Sequence, residues 1–463
     1  MTSVASDART IRDIDPATGE LIAEIPCATS DEVVQAVARA RAAADGWAAT
    51  PIEERAAALD RFGEALGRDA DALGLLATRE MGKTLRTSVG EVKGYAIGVA
   101  PKTAEIVESL APITYDIEGQ TVRTVRDPHG VVAAITPWNF PVGMPLTILV
   151  PALVAGNTVV FKPSEHTPLA GARIAELLQQ VLPEDVLVLV QGDGRTGAAL
   201  VDADVDMVGF VGSRDTGQKI MHAAVGTLKR LVLELGGKDP MVVFADADVE
   251  EAAKSAVEHS LRNTGQVCCS IERVYVADEV ADAFEERVVE LAREWTHGDG
   301  REKGVKMGPL VSEDQRAKVA EQVEDAVADG AQLRVGGATP DGPGWFYPAT
   351  VLTGVEQDHR ITHVETFGPV VAVTRFSGDE DEAVRLANDT VYGLGANVWT
   401  ADRRRGERVA SRIRAGQVGV NRYLGGAPGS PWVGARQSGY GFHGGPDGHR
   451  QFTVPKTISV ARG

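Results

Sequence analysis

The sequence predicts an α/β protein with two parallel-sheet domains and a small β element outside both. Two observations carry this. Short β-branched runs alternate with helix-length amphipathic stretches from Gly130 onward, and the alternation starts afresh after Pro240. A third observation sets the small element apart: residues 113–126 alternate apolar and polar side chains around Gly119, as a hairpin does.

Taken in order, residues 31–110 are Ala-rich, with apolar residues three and four apart, and read as several helices. Helix-ending residues are expected at Gly46, Gly82 and Pro101. Strands follow at 131–136, 158–161, 186–190, 207–211 and 231–234, separated by helices such as 169–181 and 218–228. The second series has strands at 241–244 and 273–276, and helices at 248–261 and 279–295. A third stretch alternates from 370–375 through 418–421, and no fixed-period repeat is present. A length of 463 residues suits roughly three domains of about 150 residues.

Composition removes several function classes. Hydrophobic residues are 43% and charged residues 24%, the balance of a soluble enzyme. Acidic residues outnumber basic ones by 65 to 47, a formal charge of −18 that repels a phosphate backbone. The short run Arg403-Arg404-Arg405 does not offset this, so nucleic acid is not expected as a partner. The three cysteines, Cys27, Cys268 and Cys269, make no disulfide framework, and no metal-ligand spacing occurs among the nine histidines. The polar start, residues 1–9, has no apolar core for a signal peptide. The most apolar stretch, 145–161, is broken by Pro151, Gly156 and Asn157, so no membrane span is expected. These features predict a reduced, cytoplasmic protein without a metal.

Three runs are candidates for chemistry. In Asn263-Thr264-Gly265-Gln266-Val267-Cys268-Cys269, a cysteine follows a helix and a Gly turn. Such a cysteine is either a nucleophile activated by local donors or a small buried hydrophobe. In Leu233-Glu234-Leu235-Gly236-Gly237-Lys238, a carboxylate ends an apolar strand, where it is either paired or functional. In Thr136-Pro137-Trp138-Asn139-Phe140-Pro141, two prolines stiffen a loop at the C-terminal end of a strand. Ligands of open α/β sheets bind at that edge, although a rigid turn is the plainer explanation.

Together these runs resemble the aldehyde dehydrogenase superfamily, and the resemblance covers nearly the whole chain. It rests on Pro137-Trp138-Asn139-Phe140-Pro141, Phe161-Lys162-Pro163-Ser164-Glu165, Phe210-Val211-Gly212-Ser213, Glu234-Leu235-Gly236-Gly237-Lys238, Gly265-Gln266-Val267-Cys268 and Glu365-Thr366-Phe367-Gly368-Pro369, in that order. It implies a Rossmann-type cofactor domain (1–112 and 130–235), an α/β catalytic domain (236–436) and an oligomerisation element (113–129 and 437–463). It implies Cys268 as nucleophile, Glu234 as general base and Asn139 as oxyanion donor, with NAD(P)-dependent oxidation of an aldehyde to its acid through a thiohemiacetal and a thioester. Cofactor contacts are implied at Thr136, Trp138, Lys162, Glu165, Gly194, Gly212, Ser213, Gly217, Glu365 and Phe367. The literal G-x-G-x-x-G, Gly192 to Gly197, is not the implied pyrophosphate site; that site falls on Gly212–Gly217, opening the helix that contains Ile220. Glu165 favours NAD, with NADP usable. A homodimer or homotetramer is implied, the two parts of the oligomerisation element lying side by side.

Substrate contacts are less defined. Met144, Thr147, Cys269 and Arg262 are candidates; Arg262, six residues before Cys268, resembles the succinate-semialdehyde members and suits a semialdehyde carboxylate. The second arginine of those members falls on Thr147. The usual Pro-Phe-Gly-Gly-x-Lys run is Pro431-Trp432-Val433-Gly434-Ala435-Arg436, and the usual Arg-Glu beyond it is Phe442-His443. Alternatives are a CoA-acylating dehydrogenase, which Glu234 argues against, a Cys-dependent esterase or acyl hydrolase, and a noncatalytic protein on the same scaffold.

Overall fold

Val131–Ile135, Thr158–Lys162 and Met207–Val211 are buried along their whole length, as strands covered on both faces must be. In the computed structural model, which describes residues 9–424 and 426–462, they lie in a six-stranded sheet. Its order is Gly439–Tyr440, Arg230–Glu234, Met207–Val211, Val131–Ile135, Thr158–Lys162, Leu187–Leu189. All pairings are parallel except the short one of Gly439–Tyr440 with the strand ending at Glu234. The chain runs outward from Val131–Ile135 to Leu187–Leu189, then returns to the other side with Met207–Val211. The ends of these two neighbours, Ile135 and Val211, therefore mark the topological switch point, where the crossovers diverge and leave a crevice.

The second sheet has seven strands, in the order Gln332–Val335, Thr350–Thr353, Val370–Phe376, Ile271–Ala277, Asp239–Val243, Gly395–Trp399, Gln417–Val420. Only Gln332–Val335 is antiparallel. Residues 235–238 alone link the last long strand of the first sheet to the first strand of the second. The Cys268 loop enters this sheet at the N-terminal end of Ile271–Ala277.

Most predicted elements appear within a few residues of their expected ends. Two expected helix ends are corrected. Gly46 lies inside Ser30–Ala49, which continues so that Trp47 docks with its Nε1–H on the Leu153 carbonyl at 2.9 Å; Thr50 before Pro51 is the actual stop. Pro101 lies inside Leu85–Leu110, where Val99, Thr103 and Ile106 are buried around it and the proline faces outward. Packing on both sides outweighs one lost backbone bond. Gly82 does end its helix, in the left-handed conformation at φ 90°. The helix predicted at 218–228 begins earlier, at Arg214, because Ser213 caps it by accepting from the Thr216 N–H.

The small element is a three-stranded antiparallel sheet with Gln120–Pro128 between Ile113–Ile117 and Thr453–Ala461. Residues expected to join it from 437 onward divide: Gly439–Tyr440 enters the first sheet, and Phe442–His443 pairs with Trp432–Val433. The start of the polar segment, residues 1–8, lies outside the described residues.

Candidate functional site

Asn139, Glu234 and Cys268 line one cleft of about 190 Å³, shared with Trp138, Met144, Glu365 and Phe367. Each arrives on a different element. Glu234 is the last residue of its strand and is 5% exposed. Asn139 follows the strand Val131–Ile135 on the proline-braced loop. Its amide donates to the main-chain carbonyl of Gln266 at 3.0 Å, as does the Asn263 amide at 3.1 Å, while the Val311 N–H donates to the Gln266 side chain at 2.9 Å.

The loop holding Cys268 is strained. Asn263, Thr264 and Gly265 have φ of 53°, 58° and 71°, three left-handed residues in succession, two of them not glycine. A Cβ on Gly265 would collide with the Gly368 carbonyl, so the turn sits directly on the segment that carries Glu365 and Phe367. A hydrogen bond to Cys269 and burial push the Cys268 thiol up, and the neighbouring charge of Glu234 adds to this. The resting group is thus the thiol, and any reaction through its sulfur needs a base.

A second groove of about 470 Å³ shares Pro137, Trp138, Val211, Gly212 and Ser213 with the cleft, so the two are continuous across the switch point. It adds Thr136, Lys162, Glu165 and Gly194 to its walls. The fit to a dinucleotide can be judged from its surfaces. Thr136 Oγ1 is buried without a hydrogen-bond partner among the described residues, and a Cβ at Gly194 would stand in open space. The helix Arg214–Ala224 starts at Ser213 on the groove wall, with its N-terminal N–H groups at that end. These features fit. Both helices have side-chain caps, but where Ser213 is neutral the cap of the G-x-G-x-x-G helix is charged: Asp193 accepts from the Arg195 and Thr196 N–H groups and pairs with Arg9, placing a carboxylate where a phosphate would have to go.

Most expected cofactor residues therefore line one channel, from Glu165 to Phe367. Gly217 is not on the groove wall: it is buried in the helix, where a Cβ would meet the Leu235 side chain at 2.5 Å, so its smallness serves helix packing. Glu365 accepts from the Gly237 N–H at 3.2 Å, and burial together with the charge of Glu272 raises its pKa to about 7. Trp138 and Phe367 meet edge to face at 5.5 Å.

The substrate candidates separate. Met144 lines the cleft, and Thr147 lines an adjoining cavity of about 510 Å³ with Tyr95, Leu146 and Trp432. Cys269 is buried, its carbonyl accepting from the Tyr423 hydroxyl. Arg262 stands 5.2 Å over the Tyr423 ring and does not line the cleft.

Two functional features were not expected from sequence. Lys238 and Glu272, both buried, pair at 2.5 Å, and Glu272 accepts from the Thr366 and Phe367 N–H groups at 2.7 and 2.9 Å. This pair fixes the backbone beside Glu365. The second is His443, whose Nε2 lies 2.7 Å from Glu234 Oε2. Its only sequence signal is its departure from the usual Arg-Glu. Among the described residues, no helix is long and apolar enough to cross a membrane, and no cluster could hold a metal ion.

Known proteins were compared with the chain. The aldehyde dehydrogenase family pattern matches residues 3–458. A betaine aldehyde dehydrogenase of Bacillus subtilis is 39% identical over 461 residues, covering 96% of this chain and 93% of that protein. A mitochondrial succinate-semialdehyde dehydrogenase of Arabidopsis thaliana is 38% identical, covering 98% and 87%. The crystal structure of an indole-3-acetaldehyde dehydrogenase complexed with NAD+ superposes with a TM-score of 0.95 at 36% identity, covering 100% and 95%. With the same fold and the same length of match throughout, this chain belongs to the aldehyde dehydrogenase family and is an NAD(P)-dependent oxidoreductase acting on an aldehyde.

Proposed function

We propose that the chain oxidises its aldehyde through covalent intermediates on Cys268 and releases the acid by hydrolysis. The supporting observation is the convergence of Asn139, Glu234 and Cys268 on one cleft, from three elements far apart in sequence. Glu234 takes the Cys268 proton, and the thiolate attacks the carbonyl carbon to give a tetrahedral thiohemiacetal. The Asn139 amide spends one N–H on the Gln266 carbonyl, leaving the other, with the Cys268 main-chain N–H, for the oxyanion. NAD(P), held along the groove from Glu165 to Phe367, supplies the hydride acceptor. Glu234, once it has shed the thiol's proton to solvent and is a carboxylate again, takes a proton from water, which attacks the thioester left on Cys268.

NAD is proposed as the preferred cofactor. A semialdehyde is proposed as the substrate class, on the observation that succinate-semialdehyde dehydrogenases are among the relatives.

Glu234→Gln separates the two halves of this reaction. It should retain NADH formation in a first turnover when the reaction is begun above the thiol's pKa, then lose steady-state turnover by about 10²–10⁴-fold, with acyl-enzyme seen by mass spectrometry. Cys268→Ala should abolish both phases, whereas Cys269→Ala should retain substantial turnover. An unchanged steady-state rate in Glu234→Gln would make Glu234 structural.

A further inference from the structure

Glu234 needs an outlet for the proton it accepts. Hydrolysis breaks the acyl C–S bond and forms a C–O bond: thioester and water give a carboxylate, the Cys268 thiol and one proton. Glu234 is 5% exposed, so that proton does not pass freely from its carboxyl to bulk water. Among the described residues, the one side chain recorded in hydrogen-bond contact with its carboxylate is His443, at 2.7 Å.

The backbone makes this contact deliberate. Gly439 pairs with Glu234 itself and Tyr440 with Leu233, so the chain turns at the very end of the Glu234 strand. Phe442–His443 then pairs with Trp432–Val433, Trp432 opposite His443. His443 is thereby held between two spaces. Glu234 lines the cleft with Cys268, and His443 lines the adjoining 510 Å³ cavity. The 2.7 Å contact bridges the wall between them.

We propose that His443 relays the hydrolysis proton from Glu234 into this adjoining cavity. The proposal rests on Glu234 being the general base. Once Glu234 has taken the proton of the attacking water, its carboxylic O–H donates to Nε2 of the neutral ring. Transfer across the contact restores the carboxylate and leaves an imidazolium. Loss of the Nδ1 proton to water in the cavity returns the ring to neutrality, and exchange of ring protons with that water restores the Nε2 lone pair. His443 touches Glu234 and not the reacting carbon.

The titratable groups facing it come from three elements: Glu234 from its strand, Glu91, Tyr95 and Lys102 from Leu85–Leu110, and His449 from Gly445–Arg450. Glu91 is paired with Lys83 at 2.6 Å. His449 lies 3.4 Å from Glu105, and burial first, then the nearby charge of Lys102, lowers its pKa to about 4. His449 therefore stays neutral near pH 7.

The test uses His443→Gln, which keeps a donor for Glu234 but carries no extra proton, and His443→Ala, which opens a space beside the cavity. Both should retain the NADH burst and lose steady-state turnover by about tenfold or more. Added imidazole should restore the Ala variant in proportion to its concentration and leave the Gln variant unchanged. A Gln variant with wild-type steady-state turnover would overturn the relay, as would an Ala variant that imidazole does not rescue. An Ala variant that has lost its burst has lost its fold, and the Gln variant then decides alone. Glu234→Gln measured alongside keeps the two ideas apart: if it collapses while His443→Gln does not, Glu234 is the base and the proton leaves elsewhere. If it does not collapse, the base assignment itself fails.

Discussion

The side-chain amide of Asn139 is tied to the main-chain carbonyl of Gln266 at 3.0 Å, two residues ahead of Cys268. A side-chain amide carried by the first sheet is thus tied to the Cys268 loop of the second, so that in the proposed reaction the two would approach a carbonyl oxygen as a unit. Gln266 is fully buried and is anchored through the Val311 N–H, and it does not give way. Preorganisation of this kind is where electrostatic catalysis gains most, because no reorientation is needed when charge develops.

Asn139→Ala should accordingly lower kcat by about 10²–10³-fold. NAD(P) affinity, measured by protein-fluorescence titration, should stay within a few-fold of wild type, since the amide is tied to the Gln266 carbonyl and Asn139 does not line the second groove. A kcat within threefold of wild type would remove Asn139 from the oxyanion site.

The buried carboxyl pair far from the cleft predicts a pH-dependent stability. Asp13 and Glu80 are each 1% exposed, and Glu80 accepts from the Leu169 and Ala170 N–H groups at 2.6 and 2.8 Å, at the start of Pro168–Gln179. Burial raises the Asp13 pKa to about 6, against 3.8 in the unfolded chain. A raised folded pKa means that the folded state holds its proton more tightly. The associated stabilisation is fully present below pH 3.8 and is lost as pH rises through about 6. Over that window the loss is on the order of 3 kcal/mol. Asp13→Asn, which cannot ionise, should therefore gain on wild type as pH rises from about 4 to about 6 in thermal denaturation, and hold that gain above it. A Tm difference that does not change with pH would contradict this.

The exposed small sheet leads us to propose a dimer or a dimer of dimers. Ile113, Tyr115 and Ile117 alternate along one strand and are 45%, 51% and 49% exposed, an apolar stripe with an open edge. Open apolar edges are ordinarily covered. Thr453–Ala461 pairs along the whole of Gln120–Pro128, so deletion beyond Val454 should strip that strand and cause aggregation or loss of assembly. Light scattering checks both points, and a monodisperse, active full-length monomer would rule the assembly out.

The fold and the three residues that share the cleft, Glu234, Asn139 and Cys268, were legible because each sits beside a local signal: a strand end, a proline-braced loop, a Gly turn after a helix. What was not legible depended on partners distant in sequence. His443 reaches Glu234 across 209 positions by way of a two-residue strand pairing, too short for any periodicity to announce. Lys238 has no local signal for its part, and its burial against Glu272, which accepts from the Phe367 N–H, shows that the pair holds this backbone. A glycine one turn into a helix, as Gly217 is, suits both phosphate approach and close packing, and spacing alone does not reveal its contact with Leu235. Arg262 shows the same limit: distance along the chain placed it near Cys268 but not the direction of its side chain, which lies over Tyr423.

Cofactor choice turns on Lys162 and Glu165. Their charged groups are 3.6 Å apart at the far end of the groove, the lysine side chain 3% exposed and the glutamate 40%. The Lys162 ammonium also donates to the Pro163 carbonyl at 3.0 Å. Burial lowers the Lys162 pKa and Glu165 opposes that shift, so the cation at this spot is already answered by a carboxylate. A ribose with free hydroxyls can donate to Glu165, whereas a 2′-phosphate meets like charge and must compete for Lys162. Because Glu165 is the more exposed partner, it can swing toward solvent and reduce the repulsion. NAD should therefore be preferred, with NADP used at a lower kcat/KM. Glu165→Ser should release Lys162 and offer a hydroxyl, moving the NADP-to-NAD ratio of kcat/KM upward by about tenfold or more, as expected for removal of a charge opposition worth about 1.4 kcal/mol. A wild type that already favours NADP tenfold would show that Glu165 does not guard the ribose.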